Sequence, residues 1–225
     1  MDTRLRWSGW SGLGAAAVYT GATAAGSLLD PGYSQLRQHV SDLTATGAST
    51  WAALVGPYIA YNLLVLAFAI GLYLASPRGR LWAVGLGLLA VNVLAGLGQV
   101  TWFREDAGGV PITFAGTGHL VLAGISSLTI VLGSIVFGFA FRRSAAWRPL
   151  AGFSFAVAVG FAILGPLAAI ATAARSELAG LAERGPIGLF IVWLVVVAWF
   201  ALARAAHDAK EPMAVAATEG GPAPA

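Results

Sequence analysis

The chain contains no cysteine. That excludes disulfides, thiolate metal sites, iron–sulfur clusters and cysteine nucleophiles. Lysine is nearly absent too: Lys210 is the only one, and the other basic residues are arginine. With the abundant Ala and Gly, this is the bias of a GC-rich bacterial genome. Charge is scarce as a whole, at 10% of 225 residues against 58% hydrophobic, where a soluble domain carries about 25% charged residues. A soluble core cannot absorb so much apolar surface, whereas a bilayer solvates it from outside. The net charge of +3 forms no single basic patch, so no nucleic-acid partner is expected.

What is present is a series of apolar runs. A helical span needs about 20 such residues. Candidates are Ser8–Leu29, Trp51–Ala75, Leu81–Phe103, Thr117–Phe141, Pro149–Ala174 and Pro186–Ala203, each bounded by charge or by Pro/Gly. The expected fold is an all-α membrane protein: a six-helix bundle with a short cytoplasmic N-terminus (1–7), a membrane domain (8–204) and a disordered cytoplasmic tail (205–225). A cleaved signal peptide is the competing reading of the first run, but that run is longer than an ordinary signal core.

Arginines set the expected orientation, because cytoplasmic loops are enriched in Lys and Arg. With the N-terminus inside, Arg4, Arg6, Arg78, Arg80, Arg142, Arg143, Arg148, Arg204 and Lys210 face the cytoplasm, and only Arg37, Arg104, Arg175 and Arg184 face out. The expected location is the cell (inner) membrane, with both termini cytoplasmic.

Within the spans, Ala17, Gly21 and Ala25 recur every fourth residue in the first run, which predicts a close-packing seam. Gly56-Pro57 and Gly165-Pro166 interrupt the second and fifth runs; both lie towards the outer leaflet, so they do not match as an inverted repeat. Asn62, Asn92 and Gln99 are candidate interhelical hydrogen-bonders.

The outer loops carry the chemistry. In the first, Tyr33, Leu36, Val40 and Leu43 recur at helical spacing and predict a short interfacial helix. The second runs from Arg104-Glu105-Asp106 through Gly108-Gly109 towards His119, and the third ends on Glu183-Arg184. Ionisable residues at membrane depth are costly and pair with one another. Catalytic candidates, if there is a reaction, are Ser41, Asp42, Asp106, His119 and Glu183: a nucleophile, a base and its orienting acid. Arg104, Arg184 and Gln99 are candidate ligand-binding residues. His39 and His119 do not give the spacing of a metal site, and no second intramembrane histidine exists for a haem, so no metal or cofactor is expected.

Ser41-Asp42-Leu43 followed by Gly47, an acid followed by His119, and Gly180-Leu181-Ala182-Glu183-Arg184 before the last run together resemble the bacterial domain-of-unknown-function 998 family. A second likeness is to the Frag1/DRAM/Sfk1 membrane proteins, on Val40-Ser41-Asp42 and a histidine in a later span, although Leu43 and Thr44 stand where that pattern has a glycine. Both resemblances imply a multi-span membrane protein, and neither implies a reaction. Three functional readings follow. The first is a non-enzymatic accessory or lipid-binding membrane component, with membrane lipids, a protein partner or a second copy as its contacts. The second is an outer-leaflet lipid hydrolase or transferase using Ser41, His119 and an acid. The third is a small-solute transporter with a polar path past Asn62, Asn92 or Gln99.

Overall fold

A computed structural model describes residues 3–77 and 79–219, with side chains through Asp208. Arg78 and the last part of the expected tail (220–225) lie outside the described residues. Six α-helices follow one another: α1 (Thr3–Leu29), α2 (Trp51–Ala75), α3 (Arg80–Thr101), α4 (Phe114–Arg143), α5 (Leu150–Ala173) and α6 (Ala179–Glu219). There is no strand among the described residues. The last helix continues through residues that the sequence assigns to the tail.

Helices α2 to α6 are each long and apolar enough to cross a membrane, which marks a multi-pass membrane protein. Their outward faces carry exposed large apolar side chains, among them Leu94, Leu120, Val159, Leu167 and Trp199. A continuous apolar exterior of this kind is stable against lipid and not against water. α1 is less apolar because small and hydroxyl residues fill it, yet its 27 residues reach about 40 Å.

Each helix packs against its neighbours in chain order, and α1 returns to α6, closing a ring. α1 and α2 are antiparallel along their length: Arg4 donates to the Leu74 carbonyl, Ser8 to the Phe68 carbonyl at 2.8 Å, and Thr23 meets the Tyr58 hydroxyl at 3.1 Å. Gly12 permits this approach, and Gly9 permits the approach of α1 to α6. A Cβ on Gly9 would meet Leu202, and one on Gly12 would meet Ala198 and Phe68. The seam therefore lies on a different face from the Ala17/Gly21/Ala25 stripe. All three of those residues are exposed, and Gly21 has nothing within 4 Å of a built Cβ.

Aromatic rings fill the half of the ring towards the start of α1. Trp82, Phe137, Phe141, Trp147 and Trp193 contact one another at centroid separations of 5.4–6.0 Å. The Trp193 indole donates to Ser154 at 3.0 Å, so burial of its N–H is satisfied. Asn92 donates to the Ser126 carbonyl and Gln99 to the Ser126 hydroxyl, both across the α3–α4 boundary. Asn62 instead donates to Tyr58 of its own helix and packs on Gly96 of α3.

At the opposite end, the segment 30–50 (loop 1) folds into the mouth of the ring. Val40 and Leu43 are buried there with Ala22, Leu54, Tyr58 and Val100. The expected interfacial α-helix is not what forms. Turns lead into a single 3-10 turn, Ser41–Thr44, and Leu36 is exposed. Side chains intercept the backbone groups a helix would need. Gln38 accepts from Ser34 N at 2.7 Å, Tyr33 donates to the His39 carbonyl at 2.7 Å, and Asp42 accepts from His39 N at 2.8 Å. Such local bonds compete directly with helix formation.

Candidate functional site

Polar residues of loop 1, of the segment after α3 and of the start of α6, where the structure places Glu183 and Arg184, meet at this end, and two arginines hold these parts together. Arg104, just after α3, donates to the Thr44 and Ala45 carbonyls at 3.1 and 2.5 Å while its guanidinium lies 4.6 Å from the Trp51 ring centroid. Arg184, in the first turns of α6, donates to the Gln38 and Gly180 carbonyls at 2.9 and 2.8 Å and to the Tyr33 hydroxyl at 2.5 Å. Arginine suits this task because its planar fork reaches several acceptors at fixed angles. Burial pushes the Tyr33 phenol up to about 12, against the opposing pull of Arg184. The Leu181 N–H adds a backbone bond to the Leu36 carbonyl at 3.0 Å. Gly180 passes so close to the Gln38 backbone that a Cβ would collide with it.

The acids are wired in the same way. Glu183 accepts the Val40 N–H at 2.5 Å on one oxygen and the Ser41 hydroxyl at 3.2 Å on the other. Asp42 accepts the His39 N–H on one oxygen and the Gly108 N–H, at 2.9 Å, on the other, so it joins loop 1 to the segment 102–113 (loop 2). Asp106 accepts from Ile112 N, Thr113 N and the Thr113 hydroxyl, which in turn caps the start of α4 through Gly116 N. The two backbone donors at Thr113 and Ile112 hold the Asp106 carboxyl below its ordinary range.

Glu105 and His39 complete the group. The Glu105 carbonyl receives Thr46 N at 2.8 Å, and its side chain turns inward, 12% exposed, towards a His39 ring that is 7% exposed. Burial drives the Glu105 carboxyl up to about 8; the Ser41 hydroxyl pulls the other way, and Glu183 and Asp42 add to the rise. His39 Nε2 lies 2.9 Å from the Thr172 hydroxyl near the end of α5. The Gly108-Gly109 turn closes over the ring, both residues at positive φ (85° and 74°) that favours glycine. A Cβ on Gly109 would also sit 2.5 Å from His39 Cε1.

The structure thus brings Ser41, Asp42 and Glu183 together, with Arg104 and Arg184 as clamps around them. His119 stands apart from Ser41 in the hydrogen-bond network: its Nδ1 meets the Phe103 carbonyl at 2.8 Å, joining α4 to the end of α3. Asp106 serves the turn before α4, and Gln99 serves the α3–α4 contact. Sequence reasoning missed His39, Glu105 and Thr172. The signal available was His39 three residues before Asp42; nothing in the sequence signals their meeting with residues 105 and 172.

At the other end of the bundle, Arg142, Arg148, Ala151, Gly152 and Phe155 line an open groove of about 470 Å³ between α4 and α5. Among known proteins, a family described as "Protein of unknown function (DUF998)" matches residues 13–200. No curated protein and no solved structure matches the chain.

Proposed function

The chain belongs to the DUF998 family, and we propose that it is a six-span, non-enzymatic accessory component of the cell membrane, with its loop-1 end outside. α1 is the sixth span in this reading, since it lies antiparallel to α2 from Arg4–Leu74 to Thr23–Tyr58 and must cross where α2 crosses. The orientation rests on Arg4, Arg6, Arg80, Arg142, Arg143, Arg148 and Arg204, which collect at the opposite end, as cytoplasmic ends do.

The observation that carries the non-enzymatic reading is the partner of Ser41. A serine nucleophile needs its hydroxyl on a general base that a third group orients. Here the hydroxyl donates to Glu183 while His119 Nδ1 is engaged by the Phe103 carbonyl, so Ser41 has no histidine base in its hydrogen-bond network. Most of the polar groups at this end hold backbone together, fixing loop 1, loop 2 and the start of α6 in one arrangement. A rigid outer cap on an apolar ring suits a component that presents a fixed surface to a partner.

The test is purification in mild detergent, followed by mass spectrometry of co-purifying proteins and by assay against phospholipid and glycolipid substrates. The accessory reading expects a stoichiometric protein partner and no turnover. Lipid turnover that disappears in Ser41→Ala would replace it with the hydrolase.

A lipid-binding role draws on a separate observation, the α4–α5 groove. Arg142 and Arg148 stand over an apolar wall that includes Phe155, which suits an anionic lipid headgroup with its chain along the helices.

A further inference from the structure

The hydrogen bonds around His39 determine which of its nitrogens carries a proton. Thr172 has one hydroxyl proton, and its oxygen is 2.9 Å from the Ala168 carbonyl, an acceptor that requires that proton. The Thr172 oxygen is then left to accept from His39 Nε2 at 2.9 Å. In the neutral imidazole, Nε2 is the N–H and Nδ1 presents a lone pair. That lone pair faces Asp42 Oδ2 at 3.7 Å and Glu105 Oε1 at 3.8 Å, and Nδ1 has no hydrogen-bond partner. The residue is 5% exposed, so water does not serve it freely. Glu105 Oε2 is likewise buried without a partner.

Three electron-pair donors thus converge. One ligand atom from each of His39, Asp42 and Glu105 lies within 4.8 Å of the others. The nearby arginines do not fill the role, because Arg104 and Arg184 donate to carbonyls and to Tyr33. The separations are too long for hydrogen bonds, but they approach the edge of a coordination polyhedron. Metal–ligand bonds of about 2.1 Å in a tetrahedron put two ligands about 3.4 Å apart.

We infer that His39, Asp42 and Glu105 form a binding site for one divalent cation of the zinc class, set beneath the Gly108-Gly109 turn. A 2+ ion balances the two carboxylates, and an imidazole ligand favours a borderline transition cation over calcium, which takes six to eight oxygens. The Thr172 bond on Nε2 is the orienting contact that metal-ligating histidines characteristically make through their other nitrogen. Asp42 is already oriented by the His39 and Gly108 N–H groups, so the ligands are held in place by the loops themselves. The ion ties loop 1 to loop 2.

The inference goes beyond the accessory reading and stands or falls separately from it: loss of the metal site leaves the arginine clamps as they are, and lipid turnover would leave the metal site as it is. The test uses tag-free, full-length protein in detergent, stripped with chelator and titrated with Zn²⁺, and with Co²⁺ for its visible d–d bands. The expected result is one equivalent bound, with a rise in thermal midpoint. Glu105→Gln and His39→Asn each weaken binding by about tenfold or more, and His207→Ala leaves it unchanged. Thermal midpoints without metal verify that each variant is folded, and Glu105→Gln preserves shape should His39→Asn fail that check. Absence of stoichiometric binding, or binding that survives Glu105→Gln, overturns the site. Binding lost in His207→Ala overturns it equally.

Discussion

Glu183 Oε2 accepts the Val40 backbone N–H at 2.5 Å, joining residues 143 positions apart in the chain. The contact pins the first turns of α6 to the loop that closes the mouth of the ring. Glu183→Ala leaves this N–H and the Ser41 hydroxyl without their acceptor. Leaving a buried donor without its acceptor costs about 1–3 kcal/mol, so the thermal midpoint in detergent should fall clearly. Glu183→Gln keeps an acceptor oxygen and should fall by less. Equal losses in the two variants would show that the charge matters and the hydrogen bond does not.

Arg184 joins the same two elements through three acceptors, two carbonyls and the Tyr33 hydroxyl. Lysine keeps the charge but cannot present a planar fork. Arg184→Lys is therefore expected to behave much like Arg184→Ala, loosening loop 1. Limited trypsin digestion reads this at Arg37, whose side chain is exposed and touches Glu177. Cleavage after Arg37 should speed up several-fold in both variants, while full rescue by lysine would contradict the geometry.

Glycine substitutions separate the packed positions from the lipid-facing ones. Gly109→Ala places a Cβ 2.5 Å from His39 Cε1 at a backbone φ of 74°, and Gly180→Ala drives one into the Gln38 backbone. Both should lower the thermal midpoint sharply or prevent recovery of folded protein. Gly21→Ala meets nothing within 4 Å and gains helix propensity of roughly 0.5–1 kcal/mol. It should be neutral or slightly stabilising. A Gly21→Ala protein that fails to fold would restore the seam that the four-residue spacing predicts.

At the arginine-rich end, charge removal tests the lipid groove. Arg142→Gln with Arg148→Gln should lower the amount of anionic lipid that co-purifies, as counted by mass spectrometry, without moving the thermal midpoint of delipidated protein by much. Unchanged lipid recovery would remove the groove from the account.

These contacts divide into those the sequence displays and those it hides. The helices were legible because each apolar run stops at charge, Pro or Gly; α2 begins at Trp51 and ends at Ala75 as the run does. The gathering of Asp42, Glu183 and Arg184 at one end was legible from membrane topology alone. The α1 seam was not, because small residues at four-residue spacing satisfy lipid contact and helix contact alike. Loop 1 reads as a helix from Tyr33, Leu36, Val40 and Leu43, and its side chains then claim the backbone. His39 was hidden for a different reason: its neighbours in space are carboxylates and not a second histidine, and one of them lies 66 residues further along the chain.

The account depends above all on six crossings with the loop-1 network outside, and the absence of native cysteine makes that directly measurable. Single cysteines at Ser49→Cys, in loop 1, and at Gly79→Cys and Ala145→Cys, at the arginine-rich end, occupy exposed positions. With a membrane-impermeant maleimide on intact cells, Ser49→Cys should label, and Gly79→Cys and Ala145→Cys should label only after permeabilisation. Labelling of Gly79→Cys or Ala145→Cys in intact cells, with Ser49→Cys protected, would invert the protein and contradict the account.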